Sequence, residues 1–384
     1  MLNYIATQWN KDMTDMQEGK SISLLSKWLP SINASKKRKE QAKKIIAYLN
    51  LECNNTGREI KEKDYRKALS VMRQYLDVVE KKMCANEWDK IRYENVPSRA
   101  NLNYNNAFLR HDEERRREFL GQVEKGEKKI HAGKLYPHDI VHRYIENAWI
   151  GKTKPVDTTL EQLWKALPKK EIANTLVVAD GSGSMTSTIG NTNVTCLDVA
   201  NALAIYFAEH NKGEFNNKYI TFSETPQLVK FNKTASLHDK IAKCLLHNEV
   251  ANTNIEAVFN LILKTALNND LTQDEMPKNI LIISDMEFDC AVDGRTDKKL
   301  FKTIEQRYND AGYKLPKLIF WNVCSRTGTI PLKENDLGVA LVSGFSTNIA
   351  EMVMNDKLDP LEILLDKLNT KRYEIIGEIL GKLL

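Results

Sequence analysis

Apolar residues recur along this chain with two different periods. Up to about Pro155 they fall three and four residues apart, as in helices that bury one face. Beyond Pro168 short unbroken apolar runs alternate with helical stretches. In the first part, the run over 24–29 stops at Pro30, because the residue before a proline is pushed out of the helical region. Ser35 caps a helix over 36–49, with Ala42, Ile45, Ile46 and Leu49 on one face. Tyr65, Leu69, Met72, Leu76 and Val79 mark a further helix, broken near Met83. Pro97 starts another, which runs through Phe108 and Leu109. The stretch 111–120 is densely charged, and opposite charges three to four residues apart support an exposed helix. Residues 135–141 open one more segment. No repeat is regular enough to define a solenoid.

Gly151, Pro155 and Pro168 bracket a short connecting helix at Leu160, Leu163 and Trp164. The pattern then predicts a strand over 175–179, a helix over 197–209, a strand over 219–222 and a partner strand over 225–231. Helices over 237–246 and 255–267 lead to a second fully apolar strand at 279–284. A helix over 298–311, strands over 317–323 and 339–342, and helices near 349–354 and 361–384 complete the series. Strands alternating with helices predict a mostly parallel sheet covered on both faces. The expected fold class is therefore α plus α/β: a helical domain over 1–155, then a doubly wound, mostly parallel, Rossmann-like domain over 156–384.

Composition changes this picture in two places. The net charge of +5 is unevenly placed. Up to Pro155 there are 31 Lys and Arg against 21 Asp and Glu, and the remainder has 25 against 30. A basic half beside an acidic half fits a polyanion-binding surface, with Lys36, Lys37, Arg38 and Lys39 as its densest cluster, or a set of well-solvated helices. The six cysteines are scattered and form no C-x-x-C, which favours a reduced, cytoplasmic setting and disfavours structural zinc. No apolar run reaches the roughly 18 residues of a membrane span, and no secretory leader is evident.

The candidate chemistry centres on 177–185, a strand running into Asp180-Gly181-Ser182-Gly183-Ser184. The aspartate and the two serines offer hard oxygen donors from one loop, which suits Mg²⁺ or Mn²⁺. Taken alone, the same residues also read as a plain Gly/Ser turn. Downstream, Thr253 lies just before the helix that opens at Ile255, and the apolar strand over 279–284 ends at Asp285. Glu287 and Asp289 lie close by in sequence, as outer neighbours at most. The polar stretch over 186–195 reads as a solvated insertion beside the loop. His138 and His142 stand one helical turn apart. With no third ligand nearby, an interface or capping pair is the plainer reading. The chain has no G-x-x-x-x-G-K-[ST], no H-E-x-x-H and no G-x-S-x-G, and nothing nominates a general base.

In this order, D-x-S-x-S, threonine and strand-aspartate resemble the metal-ion-dependent adhesion site of von Willebrand factor A domains. The resemblance implies that Asp180, Ser182, Ser184 and Thr253 surround Mg²⁺ or Mn²⁺, that Asp285 acts through water, and that a partner's carboxylate takes the open position. Ser26-Lys27-Trp28-Leu29-Pro30-Ser31, Tyr65-Arg66-Lys67-Ala68-Leu69, Val96-Pro97-Ser98-Arg99-Ala100, the stretch 108–115 and Leu135-Tyr136-Pro137-His138-Asp139-Ile140 resemble a family that joins a helical region to such an A domain. In layout it is similar to the TROVE, or Ro, ribonucleoproteins, whose helical ring binds noncoding RNA. The resulting expectation is a non-enzymatic, metal-dependent protein that binds an acidic ligand. The alternatives are Ro-like RNA binding through the basic helices, and a metal-dependent phosphoesterase or nuclease. No membrane partner is expected.

Overall fold

The computed structural model describes residues 2–52, 59–148, 150–169, 174–248, 254–285, 297–324, 339–343 and 360–370. Two compact units divide the chain: residues 1–96 with 103–121, and residues 97–102 with 122–384. Among the described residues no helix is long and apolar enough to cross a membrane.

The first unit is helical. It opens with α1 (Leu2–Gln17), α2 (Leu25–Trp28), α3 (Lys36–Glu52), α4 (Glu62–Tyr75) and α5 (Val79–Cys84). Ala42, Ile45, Ile46 and Leu49 of α3 are buried together with Tyr65, Leu69 and Met72 of α4, and with Ala6 and Trp9 of α1. The shared face predicted for α3 is therefore the packed one. The second amphipathic helix breaks earlier than its apolar spacing suggests. It ends at Tyr75, and Asp77 takes a left-handed φ of 51° that no continuing helix tolerates. The helix expected from Pro97 to Leu109 is likewise two pieces: α6 (Ser98–Asn103), which belongs to the second unit up to Leu102, and α7 (Asn105–His111) of the first, which α8 (Glu113–Glu124) follows.

The second unit carries α9 (Pro137–Tyr144), a small antiparallel pair β1 (Ile145–Asn147) and β2 (Lys152–Thr153), and α10 (Thr158–Lys165). There follow β3 (Thr175–Asp180), α11 (Cys196–His210), β4 (Lys218–Phe222), β5 (Leu228–Lys230), α12 (Leu237–Leu246), α13 (Ile255–Asn268) and β6 (Asn279–Ser284). The series closes with α14 (Asp297–Asp310), β7 (Lys317–Asn322), β8 (Val339–Ser343) and α15 (Pro360–Leu368). The helix expected near 349–354 and most of that expected over 361–384 lie outside the described residues. The six-stranded sheet has the order β5-β4-β3-β6-β7-β8. Only β5 is antiparallel, paired with β4 as a hairpin.

Alternation along β3 and β6 explains why both strands are buried on both faces. Leu176, Val178, Ile280 and Ile282 point into a cluster with Val258, Phe259 and Ile262 of α13 and with Phe301, Ile304 and Tyr308 of α14. The intervening Val177, Ala179, Leu281 and Ile283 are buried on the other side, where α11 packs on β3. Apart from its last two residues, α11 is buried along its whole length, which is why it reads as an almost continuous apolar run. Segments on both sides of Pro155 belong to this unit: α9 packs on α11, and α10 packs on α9 and α12.

Candidate functional site at the carboxyl ends of the strands

Asp180 is the last residue of β3, flanked in parallel register by Phe222 of β4 and, one step back, by Ile283 of β6 next to Ala179. Its carboxylate is nearly fully buried, at 3% exposure. Oδ2 accepts from Ser284 Oγ at 2.6 Å, and Oδ1 accepts from the backbone N–H of Ser182 at 2.9 Å. Ser284 ends β6, so the neighbouring strand supplies one of these donors and the turn after β3 the other. Burial pushes the Asp180 carboxyl above the usual carboxylate range; the hydrogen bonds from Ser284 and Ser182 oppose this, and the charge of Asp285 adds to it. Among the described residues Asp180 has no Lys or Arg partner. A buried carboxyl in that state is either protonated or paired with a cation.

The turn that follows is shaped by packing. A Cβ on Gly181 would stand 2.8 Å from Asn248 Cα, so only glycine lets the loop pass there. Gly183–Thr186 forms a 3-10 turn, closed by Met185 N–H to Ser182 O and by Thr186 Oγ1 to Gly183 O at 2.7 Å. It brings Ser182 Oγ and Ser184 Oγ to 3.1 Å of each other. Asp285, the residue after β6, is buried at 1% exposure. Four of the five predicted metal ligands are thus described. Asp180, Ser182 and Ser184 come together in one turn, and Asp285 lies one residue beyond the Ser284 that bonds Asp180. Thr253 lies outside the described residues, as do Glu287 and Asp289. Its neighbour Asn254 caps α13 and donates its N–H to Ser223 O, just past the end of β4. The oxygen donors at this edge fit a hard divalent ion.

Sequence reasoning missed Ser223, Asn248 and Asn322. Ser223 Oγ, Asn248 Nδ2 and Asn322 Oδ1 are buried and make no hydrogen bond among the described residues. Ser223 follows β4, and Asn322 ends β7 in register with Ser284. For Ser223 and Asn322 the available signal is a polar residue at the end of an apolar strand, the same signal that marks Asp285; Asn248, after α12, carries no such signal. Ordinary interiors satisfy nearly all such atoms, so three at one edge of a sheet make that edge a candidate site.

The polar stretch over 186–195 folds back on itself through a Thr188–Thr195 bridge, and Thr195 and Asp198 cap α11 reciprocally. Asp198 Oδ2 also pairs with His142 Nδ1 at 2.8 Å, while His138 is buried one turn earlier on α9. Burial holds the His138 imidazole below its ordinary pKa. The histidine pair is therefore an interface feature joining α9 to α11. Lys36, Lys37, Arg38 and Lys39 are all exposed in the first turn of α3.

Residues 174–372 match a family described as Domain of unknown function (DUF7788), and residues 3–175 match one described as Domain of unknown function (DUF2828). A curated relative is "Uncharacterized protein L728" of Acanthamoeba polyphaga mimivirus, 29% identical over 368 residues. That alignment takes in 90% of this chain, which spans about 60% of the relative's length. Among solved structures, the crystal structure of Deinococcus radiodurans RO (RSR) protein superposes with a TM-score of 0.46 at 14% identity, covering 86% of this chain and 73% of that one.

Proposed function

The chain belongs to the DUF7788 family, and we propose that it is a binding protein that holds Mg²⁺ or Mn²⁺ at the carboxyl ends of β3 and β6. Asp180, Ser182 and Ser184, with Thr253, are the ligands in this reading, and Asp285 acts from behind them. The observation that carries it is the buried Asp180 carboxylate, without a cationic partner among the described residues and beside a second buried carboxyl. The metal would draw in an acidic group, such as a carboxylate on a protein partner. In this reading the second unit is a von Willebrand A-like domain. The ligand set is dominated by hydroxyls, so the ion stays strongly attractive to an incoming anion. No histidine lies within 177–185, 252–259 or 279–285 to take a proton, which favours binding over hydrolysis.

The test is a calorimetric titration of the full chain with Mn²⁺. Wild type should show one saturable site, and Asp180→Ala should lose it while keeping its circular dichroism. Equal Mn²⁺ affinity in the two proteins would remove the assignment.

A second reading, RNA bound to the basic helices, has its own observation. Four consecutive cations, Lys36 to Lys39, open α3 and are exposed, and none is in an ion pair among the described residues. Phosphate groups are the chemistry that such a cluster attracts.

A further inference from the structure

The second unit has a cavity of about 700 Å³ at the end of β3 and β4 opposite Asp180. Asn216 and Asn217, which lead into β4, and Tyr206 and His210, at the end of α11, lie in its wall. Asn211, the next residue after α11, donates to Thr175 O at the first residue of β3, which fixes that end. β3 spans six residues, so the cavity and Asp180 are separated by about 17 Å of strand. The volume suits a compact organic ligand.

Three features of the wall define its chemistry. The first is aromatic: Trp164 meets Tyr206 edge to face at 6.3 Å, and Tyr206 meets His210 at 4.4 Å. The second is an amide. Gln162 is 4% exposed, and its side chain makes no hydrogen bond among the described residues. The third is charge. Lys165, Lys169 and Lys233 line the opening, are exposed, and are in no ion pair among the described residues.

The acidic groups nearby are mostly occupied. Glu209 is held by Lys240 Nζ at 2.6 Å and by Trp164 Nε1 at 2.9 Å. Glu161 accepts from the backbone N–H groups of Leu237 and His238 and from Tyr144 Oη. The first turn of α12 is thereby satisfied and is not the attraction. Among the described residues of the wall, only Glu124 remains as an acidic group against the three lysines.

We infer that this cavity binds a nucleoside phosphate, with the base against Trp164, Tyr206 and His210, its edge at the Gln162 amide, and the phosphate toward Lys165, Lys169 and Lys233. Aromatic faces accept any base by stacking, an amide reads a base edge through paired donor and acceptor, and lysines hold phosphate as point charges. The inference is independent of the metal at Asp180.

The experiment titrates the full chain with AMP, GMP, CMP and UMP, and with inorganic phosphate and adenosine as controls, by calorimetry at 50 and 200 mM salt. At least one nucleotide should bind saturably and at least tenfold more tightly than phosphate or adenosine. The surface variant Lys165→Ala/Lys169→Ala/Lys233→Ala should weaken it at least tenfold and flatten its salt dependence. Gln162→Leu should narrow the differences among the four bases, and Asp180→Ala should bind as wild type does. If no nucleotide binds more tightly than phosphate alone, or if the triple lysine variant binds as wild type does, the inference is overturned.

Discussion

Gly181→Ala tests how tightly the strand-end turn is built. The new methyl would lie 2.8 Å from Asn248 Cα, 2.9 Å from its Oδ1 and 3.2 Å from its Cβ. Carbon atoms rest roughly 3.5–4.0 Å apart, so turn and loop must separate by about 0.7 Å or more. The nearest obstacle is backbone, and the Cβ is fixed to it, so neither can swing away as the Oδ1 tip can. Backbone strain is no part of the cost, because Gly181 lies outside the left-handed region. Forced overpacking of this kind costs about 1–3 kcal/mol. For a folded unit of this size, about 2–4 °C of Tm is lost per kcal/mol, giving a drop of roughly 2–12 °C. Gly121→Ala is the control: it lies within α8, where an added Cβ meets nothing within 4 Å. Replacing glycine by alanine in a helix gains roughly 0.5–1 kcal/mol, so the two variants should move in opposite directions. Urea unfolding followed by tryptophan fluorescence, with a thermal scan beside it, measures both. A Gly181→Ala protein within 0.5 kcal/mol of wild type would refute the close packing of the turn against Asn248.

Three further outcomes are expected. Arg73 on α4 donates from Nε to Ser26 O at 2.8 Å, from one terminal nitrogen to Ser31 Oγ at 2.9 Å and from the other to Leu29 O at 2.8 Å. Arg73→Met should destabilise the first unit by about 2–4 kcal/mol in urea, and Arg73→Lys should recover only part, because an ammonium cannot span that fork. Burial pushes the Cys244 thiol up to about 12, so at pH 8 only about one molecule in ten thousand carries its thiolate. A thiol-specific disulfide reagent should label the exposed Cys84 in the native protein and reach Cys244 only on unfolding, even at pH 9. If the basic helices bind RNA, neutralising Lys36, Lys37, Arg38 and Lys39 together should lower the slope of log affinity against log salt by up to about 3 in filter binding, at roughly 0.7 per phosphate contact. No retention of RNA by wild type at low salt would remove that reading.

What the sequence displayed follows the physics of each element. β3 and β6 are buried at all six positions, and strands covered on both faces must be written as unbroken apolar runs. α1 left no such trace. Its buried positions include Asp12, which accepts from Gln8 Nε2, Ser23 N and Ser23 Oγ and so puts a charge where the apolar period expects a hydrophobe. The helix break at Asp77 was invisible because Leu76 and Val79 keep the helical spacing across a turn set by one positive φ. The pair β1 and β2 is too short for a period to register. Asp180, Ser182 and Ser184 were legible because they lie within five residues of one loop, and Asp285 because it follows an unbroken apolar strand. Ser223, Asn248 and Asn322 were not, because only the sheet brings their segments to one edge. The cavity is hidden for the same reason: α10, α11 and the segments before β4 and α12 each contribute only a few residues to its wall.

The strand order carries the functional reading one step further. β3 lies between β4, the next strand of the sheet in the chain, and β6, which follows about 100 residues later. Chains that leave a central strand toward both of its neighbours open a crevice at its carboxyl end, where open sheets of this kind bind ligands. Here that crevice is where the chain places Asp180, Ser284 and Asp285. Folding alone gains nothing from two buried carboxyls there. The charge of Asp285 makes ionisation of Asp180 harder, and the hydrogen bonds from Ser284 and Ser182 only partly offset the cost of burial. An apolar pair at the same positions would pack without that cost. The arrangement makes sense if its free energy is recovered on binding, when a divalent ion enters between the serine hydroxyls and the carboxyls. By that reasoning Asp180→Asn should leave the metal-free protein no less stable, and should lose the stabilisation that saturating Mn²⁺ gives wild type, about 2.7 kcal/mol at a hundred times Kd.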